Sequence, residues 1–153
     1  MSDRSPFPTV AAELRQTIDA ALPKLRRISE EQATEPRAPG KWSPKQVIGH
    51  LIDSASNNHQ RFVRAQQVIE LSFPKYAQDM WVGLQHYNER PWEDILALWH
   101  AYNLHLAHVI GHIPEARRQV PCTIESSSPV TLGFLAHDYV VHLRHHLAQV
   151  NAV

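Results

Sequence analysis

A single cysteine, Cys122, in a chain of 153 residues leaves no internal disulfide to form, so the fold has to rest on its core. Uninterrupted apolar runs are short; none approaches the roughly 18 residues of a membrane-spanning helix. The opening MSDRSPFPTVAAELRQ likewise contains no apolar segment of signal-peptide length. Neither sign of charge is in excess, with 15 Lys plus Arg against 15 Asp plus Glu. That balance withholds the basic face on which nucleic-acid binding usually depends. Period-two alternation is missing over any useful length, which argues against a sheet. The expectation is one soluble, cytoplasmic domain spanning 1–153, with no nucleic-acid and no membrane partner. A chain of that size buries roughly two-thirds of its unfolded surface without staples.

What the chain has is helical periodicity and histidine. A first helix is predicted from about Thr9 to Glu31, where Val10, Leu14, Ile18, Leu25 and Ile28 recur at helical spacing. Pro23 should kink or break it. Ala33 to Lys41 reads as a loop. The second helix is signalled by Ser43 as N-cap, Pro44 at the first helical position and Gln46 as capping-box partner. Its inward face runs through Val47, His50 or Leu51, Ser54, Asn58, Phe62 and Ala65 to Ile69. That face turns polar at Ser54 and Asn58, which suggests a solvated cavity.

Pro74 to Tyr87 is a connection with a short helix around Met80 to His86. Pro91-Trp92-Glu93-Asp94 opens a third long helix through about His112, ended by Ile113-Pro114. Residues 115 to 130 look irregular, and Thr131 can cap the last helix. Four main helices with mixed-length connections predict an all-α four-helix bundle.

The last helix carries the most unusual pattern. The stretch AHDYVVHLRHHLAQVN, Ala136 to Asn151, holds four of the eleven histidines. At about 100° per residue, Leu135, Tyr139, His142, His146, Val150 and Val153 fall in one apolar stripe. His142 and His146 therefore occupy positions where a bundle normally places Leu or Ile. A buried imidazole nitrogen without a partner costs roughly 1–3 kcal/mol, and a shared metal ion relieves both rings at once. An open catalytic site needs about three protein ligands. His50 is the remaining histidine at a comparable seam position, so the predicted set is His50, His142 and His146. Three core histidines bonded to Ser, Asn or Tyr are the alternative.

His105, His108 and His112 have ligand-like spacing but flank or oppose their apolar stripe, so an exposed face is expected for them. His59, His86 and His100 carry less still. His145 lies about 80° off the seam, at most near the mouth of a pocket.

The segment from Trp42 to Asp53, WSPKQVIGHLID, and that from His142 to Val150, HLRHHLAQV, together resemble the DinB-like superfamily. Its members are the damage-inducible and thiol-transferase-related four-helix bundles of bacteria. The first segment is similar to the family's W-S-x-x-x-V-x-x-H-L and the second to its H-x-x-H-H-x-x-Q-[IV]; Tyr76 to Trp81, YAQDMW, extends the likeness. The resemblance implies that His50, His142 and His146 hold a divalent metal, zinc or nickel. It further implies an enzyme that is a thiol S-transferase using a low-molecular-weight thiol on a small-molecule electrophile, or a metal-dependent hydrolase. A non-catalytic metal-binding bundle is the remaining option. Asp53, Tyr76, Asp79, Tyr139 and Gln149 are candidates for orienting ligands or substrate, with Asp53 one turn beyond His50 and able to accept its other ring N–H. Cys122 sits far in sequence from the histidines, so no protein nucleophile is evident. Bundles with apolar outer stripes often pair, and the resemblance points the same way, to a homodimer.

Overall fold

The computed structural model describes residues 4–153. Its elements run α1 (Phe7–Arg26), α2 (Glu30–Thr34), α3 (Pro44–Arg64), β1 (Leu71–Phe73), α4 (Gln78–Leu84), α5 (Trp92–Gly111), β2 (Pro121–Ile124), β3 (Val130–Thr131) and α6 (Leu132–Gln149). The four long helices, α1, α3, α5 and α6, form a bundle. Around its ring the order is α1, α5, α3, α6, each packing on its two neighbours. Helices α1 and α3, consecutive among the long ones, therefore stand diagonally, and α3 lies directly against α6. That adjacency brings His50 to the histidines of the last helix. No helix among the described residues is long and apolar enough to cross a membrane.

Apolar stripes fill the centre: Leu14, Ile18 and Leu25 from α1, Ile48, Leu51 and Phe62 from α3, Ile95, Trp99 and Leu106 from α5, and Leu143 and Leu147 from α6 are all buried. Local chemistry sets the helix starts. Ser43 accepts from the Gln46 backbone N–H, while the Gln46 side chain accepts from the Ser43 N–H, closing the capping box that opens α3. Thr131 caps α6 through the Phe134 N–H.

Three features depart from the sequence expectations. The expected helix from Thr9 to Glu31 is two helices: α1 runs through Pro23 for three more residues, and a second capping box, Ser29 with Gln32, starts α2. A proline so near the C-terminal end removes one hydrogen bond from a helix about to stop. Helix α3 ends at Arg64, and Ile69, expected on its inward face, is exposed. The third departure is a small sheet, β1 parallel to β2 and β2 antiparallel to β3. Its strands are two to four residues long, too short for alternation to register in the sequence.

Candidate metal centre

His50 lies in the second turn of α3 and is 1 % exposed; His142 and His146 lie one turn apart on α6 and are half-buried. Their ring centroids are 5.2 Å apart for His50 and His142, and 4.6 Å for each of the other two pairs. One nitrogen from each ring lies within 4.8 Å of one from each of the others. The closest pair, His50 Nε2 and His142 Nε2, is 3.3 Å apart. Two ligands at ~2.05 Å from one tetrahedral ion are separated by about 3.3 Å, so this spacing fits a shared zinc-like ion. No further His, Cys or carboxylate joins the cluster among the described residues.

The surroundings favour the neutral, lone-pair-bearing form of each ring. Burial, followed by the neighbouring imidazoles His146 and His142, pushes His50 down to about 3. Burial and the neighbours His146 and His145 push His142 down to about 4. His146 is also lowered by burial, against a hydrogen bond to Gln149 that acts in the opposite sense. His146 Nδ1 donates to Gln149 Oε1 at 2.9 Å, which leaves Nε2 as the free lone pair. The Trp42 ring tilts over this group, 5.1 Å from His50 and 6.4 Å from His146. His50 Nδ1 is buried without a partner. Coordination through Nε2 would leave that atom carrying the proton. The donor set is all nitrogen and held in its neutral form by burial, which suits a divalent ion of borderline softness.

A cavity of about 150 Å³ opens beside His142, lined by Ser54, Asn58, Arg61, Tyr76, Leu135, Asp138 and Tyr139. Ser54 and Asn58 thus line the polar space that their place on the α3 seam suggested.

The remaining sequence candidates divide. Gln149 touches His146. Tyr76 and Tyr139 line the cavity, with the Tyr139 hydroxyl donating to Asn103 Oδ1 at 2.6 Å. Asp79 is exposed at the start of α4 and takes no part in the cavity wall. Asp53 does not accept from His50. Its Oδ1 accepts from the Tyr87 hydroxyl and from Gln85 Nε2, both at 2.7 Å, because these two side chains reach over it from the segment after α4. His105 and His108 on α5 and His112 at its C-cap are exposed, and His145 is exposed beside His146. The residues missed from sequence are Trp42, whose ring covers the imidazoles, and Arg61, whose place two turns beyond Ser54 on the polar face of α3 could have signalled it.

The profile of the DinB superfamily matches residues 13–150. The chain belongs to the DinB superfamily. Two curated relatives are each named "Putative metal-dependent hydrolase". One, from Geobacillus thermodenitrificans strain NG80-2, is 24% identical over 91% of this chain and 79% of its own length. The other, from Bacillus mycoides strain KBAB4, is 21% identical over 84% of this chain and 74% of its own. YfiT from Bacillus subtilis, titled "a probable metal-dependent hydrolase with an unusual four-helix bundle topology", superposes with a TM-score of 0.74. The match spans 94% of this chain and 79% of YfiT at 21% identity, and establishes the shared DinB fold.

Proposed function

We propose that this DinB-superfamily chain is a metal-dependent hydrolase of small molecules, with one zinc or nickel ion held by His50, His142 and His146. The observation that carries the reading is the convergence of three neutral imidazole nitrogens within 4.8 Å, from two adjacent helices, beside a polar cavity. Three protein donors rather than four leave room for an exogenous ligand, as catalytic sites require. The names of the curated relatives support hydrolysis as the reaction class.

A divalent ion bound there supplies Lewis acidity, which lowers the pKa of a coordinated water or thiol and polarises a carbonyl. The protein's own contribution is positional. Gln149 fixes the tautomer and orientation of His146. The Trp42 ring shields His50 from water on one side. Burial keeps His50 and His142 unprotonated through the physiological range, so no proton competes for their lone pairs. Tyr76 and Tyr139 remain neutral phenols, since burial raises both.

A thiol S-transferase would use the same three histidines with a low-molecular-weight thiol in place of water. The assay offers the zinc- or nickel-loaded protein a panel of activated esters and amides, and separately monochlorobimane, each with and without added thiol. Hydrolysis that needs no thiol and disappears in His142→Ala is the expected result. Turnover confined to reactions containing a thiol would replace the hydrolase by the transferase, and no turnover with the ion bound would leave a binding bundle.

A further inference from the structure

One cation, Arg61, lines the cavity beside His142. Arg61 is half-buried in its wall, with Nε sealed from solvent and lacking any hydrogen-bond partner. Its guanidinium carbon sits 5.4 Å from the centre of the Phe73 ring, which holds the fork from one side. No carboxylate among the described residues comes within ion-pair distance of it, whereas Arg26, Arg118 and Arg144 each meet a glutamate. Arg117 is used differently, donating to the backbone carbonyls of Ala65 and Val68. Burial acts against the Arg61 charge, and that side chain stays protonated in proteins regardless. A buried Nε–H with an unmade hydrogen bond is costly to leave so.

The rest of the wall is polar. Ser54 and Tyr76 bring hydroxyl groups to the same space, while the Asn58 amide donates to the Ser54 carbonyl and lies 3.3 Å from its hydroxyl oxygen. Asp138 is the single acidic residue in the wall and sits on its exposed side. One opposing carboxylate penalises a dianion more than a monoanion, which favours a carboxylate over a phosphate. A volume of about 150 Å³ admits the acid end of a molecule rather than the whole of it. His142 lines the same cavity, so a group anchored on Arg61 shares that space with the edge of the imidazole cluster.

We infer that Arg61 is the anchor for a carboxylate carried by the substrate, binding it as a planar fork in the cavity next to His142. The inference rests on the reading of His50, His142 and His146 as the reacting centre, and it makes the substrate a small carboxylic acid derivative with its reacting bond a few atoms from the acid. Arg61 is then a specificity-determining residue, separate from the metal ligands.

The test uses the full-length zinc-loaded protein and reads the arginine Nε–H signals in proton–nitrogen correlation spectra, independent of any turnover. The Arg61 signal is assigned by its loss in Arg61→Lys. Titration with sodium propionate, at constant ionic strength in chloride, should shift that signal saturably, with half-saturation in the millimolar range. Propionamide, equal in shape but neutral, should leave it in place, and inorganic phosphate should act at least tenfold more weakly. In Arg61→Lys, which keeps the charge and loses the fork, the propionate response followed at the Asn58 side-chain amide should weaken about tenfold. A signal indifferent to propionate, or equally responsive to propionamide or phosphate, would overturn the assignment. The metal titration distinguishes the two readings: one ion per chain with a silent Arg61 removes the carboxylate anchor alone, whereas a responsive Arg61 in a protein that binds no ion removes the metal reading.

Discussion

Gly49, directly before His50, offers a sharp test of how α3 is held. A methyl group added there would lie 2.3 Å from Cδ2 and 2.5 Å from Cε2 and Cγ of Tyr87. Carbon atoms prefer about 3.5–4.0 Å, so the Tyr87 ring must retreat by more than about 1 Å. It has little space to do so, being 4 % exposed and tied through its hydroxyl to Asp53. In an ordinary helix interior Gly→Ala is worth about 1 kcal/mol of stabilisation. Overpacking costs about 1–3 kcal/mol, and loss of a hydrogen bond to a carboxylate about 1.5–3 kcal/mol. The steric and hydrogen-bond losses outweigh the propensity gain, and Gly49→Ala should destabilise by about 2–4 kcal/mol. For a domain of this size that is a fall of roughly 5–15 °C in Tm, measured by circular dichroism on the metal-free protein. In a Tyr87→Ala background the same substitution meets no ring and should be neutral or slightly stabilising. A Gly49→Ala protein melting at or above the parent temperature, or an equal loss in both backgrounds, would refute the reasoning.

Further outcomes follow from the site and its supports. Tyr87→Phe keeps the ring and removes the donor to Asp53, and urea unfolding at neutral pH should show a loss of about 1.5–3 kcal/mol; no loss would detach that bond from stability. In the metal-free protein His50 and His142 titrate near 3 and 4 when folded and near the ordinary 6.5 when unfolded. Between about pH 4 and 6.5 the unfolded chain therefore binds protons the folded chain does not. Stability then falls on acidification through that window, by up to about 1.4 kcal/mol per pH unit for each such histidine. His142→Leu should flatten that slope, and an unchanged slope would contradict the burial argument. Trp42, 5.1 Å from His50, should dominate any quenching of tryptophan fluorescence by added nickel; quenching retained in full by Trp42→Phe would place the ion elsewhere.

The parts of this molecule legible in its sequence are those where short-range chemistry and long-range packing agree. Ser43, Pro44 and Gln46 announce the start of α3, and the structure closes the capping box they imply. His142 and His146 stand out because they interrupt an apolar stripe, and the polar Ser54 and Asn58 mark the cavity in the same way. The end of α1 was legible in principle, since Ser29 and Gln32 repeat the capping-box spacing, but continued apolar periodicity through Ile28 hid it. The small sheet was not legible: strands of two to four residues carry no detectable period, and β1 meets β2 only through a pairing some fifty residues apart. The partners of Asp53 were equally hidden, because Gln85 and Tyr87 reach it from a connection whose path depends on the whole bundle. Arg61 shows the same limit, as an arginine on a helix is ordinary until the surrounding carboxylates are seen to be elsewhere.

The most direct test of the three-imidazole centre is a calorimetric titration of chelator-treated protein with zinc and with nickel. The wild type should bind one ion per chain. His50→Ala, His142→Ala and His146→Ala should each lose that stoichiometric binding while keeping their helical signal, and the exposed-site control His108→Ala should match the wild type. Wild-type stoichiometry and affinity in His142→Ala or His50→Ala would contradict the account at its centre.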